Sequence, residues 1–444
     1  MKIRDLINAT GAKIVNTSAN IDLDKDIKIS TDTRTIKQGD FYLPLKGASF
    51  DGEKFIKQAI EKGAAGSFCT KPDNNSETFL LKVPDTLIAY LQLANYRRKK
   101  LNPTVVAVTG SSGKTTTKEL VASVLSEKYH TFKTPLNHNN EIGFCQTVFE
   151  APDNTEVLVL EMGMRGLGEI ELLSKYSEPD ITIIANVGTA HIGRLGSREN
   201  IAKAKCEIVK YQRGKIFIAH NDELIKKTVD FEGEKIFYSI KDVDILEKSA
   251  HSSKFIYQGI VYELNVGGDY NIENALSAIN TGYKLGLTSE QIQNGLKKYK
   301  PIEKRWEAVG VNINGKTVNV INDSYNANPE SMRAFVDTIF EHYKNYMLIL
   351  GDMGELGENE IQYHKELGDY INNKANLNKD AKIISIGTLS RNITDVITNC
   401  ETHHFDTVDG GVNYLKSHLR SDITLFLKAS RSMKFENIIS GLNG

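Results

Sequence analysis

Val105-Val106-Ala107-Val108-Thr109-Gly110-Ser111-Ser112-Gly113-Lys114-Thr115-Thr116-Thr117 decides how the rest of the chain is read. Four apolar residues predict a short buried strand. A glycine-bearing turn follows, and Thr117 to Leu125 has helical spacing. Strand, turn, Lys-Thr and helix together make a phosphate-binding loop, because backbone N–H groups at a helix start face an anion and the helix dipole favours negative charge there. In such a loop Lys114 can reach the terminal phosphates of a nucleoside triphosphate and the Thr115 hydroxyl can bind Mg2+, while Gly110, Ser111, Ser112, Gly113 and Thr116 complete the cradle. The pattern is a shorter variant, T-G-x-x-G-K-T, since Val108 stands where the longer motif has glycine.

Outward from this loop, the middle of the chain alternates apolar runs with helical stretches. Val157–Leu160, Ile181–Ala185 and Lys215–Ala219 are apolar almost throughout, as strands buried on both faces of a parallel sheet require. Ligands in such sheets sit at the carboxyl ends of the strands, so the residues after each run are candidates. These are Glu161-Met162-Gly163 and Asn186-Val187-Gly188-Thr189-Ala190-His191, with Asn137-His138-Asn139-Asn140-Glu141-Ile142-Gly143 before them. Glu161 is placed to bind metal beside the phosphates, and His191 to bind metal or phosphate. Lys203 and Lys205 lie on a helix expected over Arg198–Lys210; spacing alone does not choose between them, and either is also explained as surface charge. Gly267-Gly268-Asp269-Tyr270-Asn271-Ile272-Glu273-Asn274-Ala275 opens a further helix.

Residues 1–84 read as a small α/β domain, with strands at Ile27–Ser30 and Asp40–Leu45 and a helix from Phe55 to Lys62 ended by Gly63. A helix is expected over about 85–100. Near residue 304 the texture changes: Asn312–Val318 reads as a hairpin on an Asn-Gly turn, and strands at Tyr346–Leu350, Lys382–Ile386 and Ile423–Lys428 predict a third α/β unit. The division is 1–84, 85–303 and 304–444.

Composition narrows the class. With 444 residues, 40% hydrophobic and 25% charged, the chain is an ordinary globular one, and a formal net charge of −1 argues against a protein that grips nucleic acid by bulk positive charge. The four cysteines, Cys69, Cys145, Cys206 and Cys400, have neither zinc-site nor redox spacing. No signal peptide and no membrane-spanning run is evident, so a cytoplasmic, monomeric protein is expected.

Taken together, T-G-S-S-G-K-T-T, N-H-N-N-E-I-G, E-M-G, N-V-G-T-A-H with A-K-A-K-C-E-I after it, and G-D-Y-N-I-E-N-A resemble the central domain of the Mur ligases, ATP-dependent amide-forming enzymes of peptidoglycan synthesis. Asp323-Ser324-Tyr325-Asn326-Ala327-Asn328-Pro329-Glu330-Ser331-Met332 and Leu350-Gly351-Asp352-Met353-Gly354-Glu355-Leu356-Gly357 resemble signatures of the family member that adds D-alanyl-D-alanine. Thr31-Asp32-Thr33-Arg34 and the Leu45–Gly52 loop resemble that member's UDP-binding domain. Three positions depart from the family pattern: Glu53 in place of His after D-G, Tyr270 in place of His before Asn271, and Glu303-Lys304-Arg305-Trp306 where G-R is common.

The resemblance implies a small UDP-binding α/β domain, a central phosphate-loop domain with a mostly parallel sheet, and a C-terminal Rossmann-like α/β domain. It implies ATP and Mg2+, with UDP-N-acetylmuramoyl-tripeptide and D-alanyl-D-alanine as substrates. By resemblance Lys114, His191 and Lys205 are catalytic, Lys205 matching a lysine carbamylated in several relatives. Thr115, Glu161, His191 and Lys205 hold metal, and Asn271 and Asn274 contact adenine. Arg305 and Asp323 reach phosphate and ribose. Thr33, Arg34, Lys46, Gly47, Asp51, Asn139, Asn140, Tyr325, Asn326 and Asn328 contact substrate. A sister ligase adding one amino acid, or a non-catalytic ATP-binding regulator, would share the phosphate loop.

Overall fold

The computed structural model describes the chain except residues 16–20, 48–49, 73–77, 137, 250, 301–305, 314, 375–380 and 444. Arg305 with its neighbours Glu303 and Lys304, Ala48 and Ser49 of the N-terminal loop, and Asn137 therefore lie outside the described residues.

The strand Thr104–Thr109 sits inside a six-stranded sheet, between Ile181–Ile184 and Val157–Glu161, and every pairing in that sheet is parallel. Its alternate residues feed two cores. Val105 and Ala107 join one, Val106 and Val108 the other, and all four are fully buried. Each buried valine contributes about 1.5–3 kcal/mol, which is why the run is apolar without alternation. From this strand the chain builds outward first on one side, through Val157–Glu161 and Thr131–Lys133, and then on the other, through Ile181–Ile184, Ile216–His220 and Glu234–Tyr238. The loop after Thr109 thus lies where strand order reverses, the usual place for a ligand in an open α/β sheet.

The helix after the loop begins at Lys114, three residues before the expected start, and runs to Leu125. Gly113 makes this possible: its φ of 72° is left-handed, and a Cβ there would lie 2.6 Å from Oδ1 of Asn274. The helix expected over Arg198–Lys210 ends at Cys206 and continues as a 3-10 turn, Glu207–Val209. The helix expected from Phe55 is preceded by a 3-10 turn, Gly52–Phe55, because Asp51 accepts from the Glu53 N–H and starts the turn early.

N-terminally, five short strands form a second sheet, parallel except where Lys13–Val15 pairs antiparallel with Leu80–Lys82. The helix Thr86–Leu101 joins its core to that of the central sheet. Arg98 on this helix is fully buried and meets Glu178 at 2.7 Å, with Lys99 at 2.8 Å from the same carboxylate. Burial pushes the Glu178 carboxyl up, but the Lys99 and Arg98 cations and the Asn95 amide beside it outweigh that and hold it at about 2.

A third, three-stranded antiparallel sheet spans Val243–Lys248, Ser253–Tyr257 and Ile260–Leu264. The C-terminal sheet has six strands. Glu307–Ile313 and Lys316–Asn322 form the antiparallel hairpin, and the remaining strands are parallel. Among the described residues no helix is long and apolar enough to cross a membrane.

Candidate active site

A cleft of about 730 Å³ lies between the ends of the central and C-terminal sheets. On its wall are Ser111, Ser112, Gly113, Lys114, Thr115, Thr116, Asn139, Asn140, Glu161, His191, Lys205, Asn271 and Asn274 from the central part, and Asp323, Tyr325, Asn326 and Asn328 from the C-terminal part. Thr33, Arg34, Lys46, Gly47 and Asp51 lie instead in loops of the N-terminal part, outside its strands, and the Gly110 carbonyl at the base of the loop accepts from Lys114 Nζ at 2.7 Å.

The phosphate loop is shaped by Asn186. The backbone N–H groups of Ser111 and Ser112 donate to its Oδ1 at 3.1 and 2.9 Å, and its Nδ2 donates to the Ser112 carbonyl at 3.0 Å. Lys114 folds over the loop, with a second contact to the Ser111 carbonyl at 3.3 Å. An ammonium resting on carbonyl oxygens can move onto a stronger anion at little cost.

Glu161 ends the strand Val157–Glu161 with its side chain 1% exposed. Asn139 Nδ2 donates to Oε1 at 3.0 Å, whereas Oε2 is buried and accepts no hydrogen bond, its nearest cation being Lys118 Nζ at 3.8 Å. A buried carboxylate oxygen without a donor is costly unless a cation completes it. Together with the neighbouring Thr115 hydroxyl on the same wall, this donor set fits a hard divalent ion. Lys118, which sequence reasoning passes over, is itself fully buried, donating to the Thr134 and Leu136 carbonyls at 2.7 and 3.3 Å.

Lys205, and not Lys203, is the buried member of its pair, 1% exposed on the cleft wall. Burial first, and the charge of Lys114 second, push its affinity for a proton well below that of an ordinary lysine. His191 has a left-handed φ of 66° and its Nδ1 lies 2.5 Å from Oε2 of Glu355, across the cleft. That contact, ahead of the opposing effect of burial, lowers the Glu355 carboxyl below its ordinary range.

Several expected ligand contacts are committed to the protein's own scaffold. Asn140 and Asn328 cap helices, accepting from Gly143 and Ser331 N–H groups at 2.9 and 2.8 Å. Asn139 holds Glu161, and Asn274 Oδ1 accepts from the Thr117 hydroxyl at 3.1 Å. Asn271 Nδ2 donates to the Gly267 carbonyl at 2.7 Å. Asp323 is held by Lys428, whose Nζ lies 2.5 Å from Oδ2 and is 3.3 Å from the Asn326 carbonyl. Lys428 ends a strand whose sequence reads only as core; its burial at 3% exposure, like that of Lys118, has no signature in sequence.

The phosphate loop at the strand-order reversal and the cleft above it define a nucleotide-binding α/β protein. Family descriptions match along the chain: "Mur ligase family, catalytic domain" over residues 28–112, "Mur ligase middle domain" over 108–282, and "Mur ligase, glutamate ligase domain" over 304–431. The chain belongs to the Mur ligase family. It is 36% identical to the UDP-N-acetylmuramoyl-tripeptide–D-alanyl-D-alanine ligase of Bacillus subtilis, covering 93% of this chain and 92% of that one. To the protein of the same name from Escherichia coli it is 30% identical, covering 96% and 94%. Among solved structures, MurF from Acinetobacter baumannii superposes with a TM-score of 0.87 at 28% identity, covering 100% of this chain and 98% of that one. MurF from Thermotoga maritima in complex with ADP gives 0.82 at 26%, covering 94% and 97%.

Proposed function

We propose that the chain joins D-alanyl-D-alanine to the terminal carboxylate of UDP-N-acetylmuramoyl-tripeptide, with ATP converted to ADP and phosphate. The observation that carries this reading is a single cleft whose wall includes both the phosphate loop and the Asp323–Asn328 turn of the C-terminal part. Full-length relatives of that name support it. In this reading residues 1–84 take the UDP-sugar, 85–303 ATP and 304–444 the dipeptide.

A carboxylate is a poor electrophile, so one of its oxygens first attacks the γ-phosphorus of ATP, and ADP leaves with the bonding electrons. The amine of the dipeptide then attacks the acyl carbon, loses its proton, and expels phosphate. Lys114 neutralises the β- and γ-phosphates during the first step. Glu161 with Asn139, Thr115 and His191 with Glu355 would hold Mg2+, which when bound supplies charge neutralisation for the phosphate oxygens. Lys205, whose affinity for a proton is lowered by burial, is suited to add carbon dioxide with loss of a proton, and the anionic carbamate would then add an oxygen donor to the set that would hold Mg2+. Asn271 and Asn274 would border the adenine and Asp323 the ribose and phosphates, a role the resemblance also gives Arg305. Tyr325, Asn326 and Asn328 border the dipeptide, and Thr33, Arg34, Lys46, Gly47 and Asp51 the UDP moiety. A monomer working in the cytoplasm completes the reading.

Mass spectrometry of products from UDP-tripeptides ending in lysine or diaminopimelate, with ATP and the dipeptide, tests it. Product heavier by one dipeptide residue pair is expected, with single D-alanine a poor acceptor. Efficient addition of a single amino acid would favour a sister ligase, and ATP hydrolysis with no acceptor dependence a non-ligase.

A further inference from the structure

The segment from Asn186 to His191 is held from two sides. On the phosphate-loop side, the Gly188 N–H donates to the Ser111 hydroxyl at 2.9 Å. From the C-terminal part, the Glu330 carboxylate accepts both the Thr189 backbone N–H and the Thr189 hydroxyl, each at 3.0 Å and 141 residues apart in sequence. A Cβ on Gly188 would lie 2.8 Å from the Glu330 carboxyl carbon, so the bare backbone there is what admits the carboxylate. Glu330 stands in the first turn of the helix Pro329–His342, directly after the turn assigned to the dipeptide. An acid in a first turn is stabilised by its own helix dipole without any other partner. This one instead spends both oxygens on a segment that belongs to the opposite wall of the cleft.

We infer that Glu330 is a positioning residue: it fixes the segment bearing Thr189 and His191 only when the dipeptide-binding wall is seated against the phosphate loop, so that phosphoryl transfer is tied to a closed cleft. This rests on the ligase reading above. Without the two hydrogen bonds the Thr189 N–H loses its partner, and the acyl phosphate is left open to water, which competes with the amine.

Four variants of the full chain test this: Glu330→Ala, Glu330→Gln, Thr189→Val and the double variant Glu330→Ala/Thr189→Val. ATP consumed and peptide product formed are measured together. Glu330→Ala is expected to slow ligation about tenfold, the worth of one or two lost hydrogen bonds, with kcat falling while the KM for UDP-tripeptide holds. ATP consumed per product should rise about twofold or more. Glu330→Gln keeps the shape, accepting the N–H and donating to the hydroxyl, and should stay within about threefold of the parent. The double variant should be no worse than Glu330→Ala alone. Additive losses, a glutamine variant as impaired as the alanine one, or an unchanged ATP-to-product ratio would overturn the inference. The same cycle run on the melting shift given by a non-hydrolysable ATP analogue requires no ligation. A parent protein that failed to ligate would therefore count against the ligase reading, and additive melting shifts against Glu330.

Discussion

The cleft and the N-terminal loop both carry candidate binding residues, yet they are built in opposite ways. In the cleft Glu161 and Lys205 are buried, Asp323 and His191 are half-buried, and several of these groups meet named partners, as with Glu161 between Asn139 and Lys118, Asp323 on Lys428, and His191 beside Glu355. In the N-terminal part the Arg34 side chain is 87% exposed and, among the described residues, pairs with its near neighbour Asp32. Lys46 and Asp51 face each other across a short bridge, with the Gly52 N–H closing on Leu45 at 2.9 Å. Buried groups are already oriented before a ligand arrives, so their loss is felt in the chemical step. Exposed groups gain order only on binding, so their loss is felt in affinity.

Variants sharpen that contrast. Lys114→Ala should remove the charge nearest the transferred phosphoryl group and cost a hundredfold or more in rate, on the order of one lost electrostatic contact, with an unchanged melting curve. Near-normal turnover would break the comparison at its strongest point. Next, Lys205→Ala should lose most activity and regain part of it when a small carboxylic acid is added, while the exposed Lys203→Ala loses much less; a reversed order would move the metal site.

The pair Arg98–Glu178 tests burial without chemistry. Its carboxyl titrates at about 2 when folded, below its unfolded value. Its contribution is therefore present above about pH 4.5 and lost as pH falls toward 2, on the order of 3 kcal/mol in all. Glu178→Gln should lower the melting temperature at neutral pH and flatten its fall below pH 5, leaving activity of the folded fraction intact. A melting profile parallel to that of the parent would contradict this. Smallest is Arg34→Ala, expected to raise the KM for the UDP-linked substrate a few-fold with kcat unchanged; a kcat effect would mean the N-terminal loop acts in the chemical step.

Sequence and structure part company along the same line. The strand-end motifs are legible because a parallel sheet gathers the residues at the end of each apolar run, and Thr104–Thr109, Val157–Glu161 and Ile181–Ile184 all match their expected runs closely. The antiparallel sheet at 243–264 escapes that reading, although Ser253–Tyr257 alternates buried and half-buried positions and Gln258-Gly259 marks its turn. Lys118, Lys428 and Glu330 are out of reach for a different reason. Their roles depend on which distant carbonyl or N–H comes to them, and a charged residue on a helix or at a strand end looks the same in sequence whether it meets solvent or a partner 105 or 141 residues away. Asn139, Asn140 and Asn328 show a second limit: polar residues in a dense motif read as ligand contacts, and the sequence does not show that each also gives one amide atom to the scaffold that holds the site.

The central claim is that one cleft passes the γ-phosphoryl group to the tripeptide carboxylate before the amide forms. Its most direct test uses UDP-tripeptide carrying oxygen-18 in the terminal carboxylate, with ATP and D-alanyl-D-alanine. One labelled oxygen should appear in the released phosphate and the other should remain in the new amide. Phosphate free of label, with amide still formed, would contradict the account.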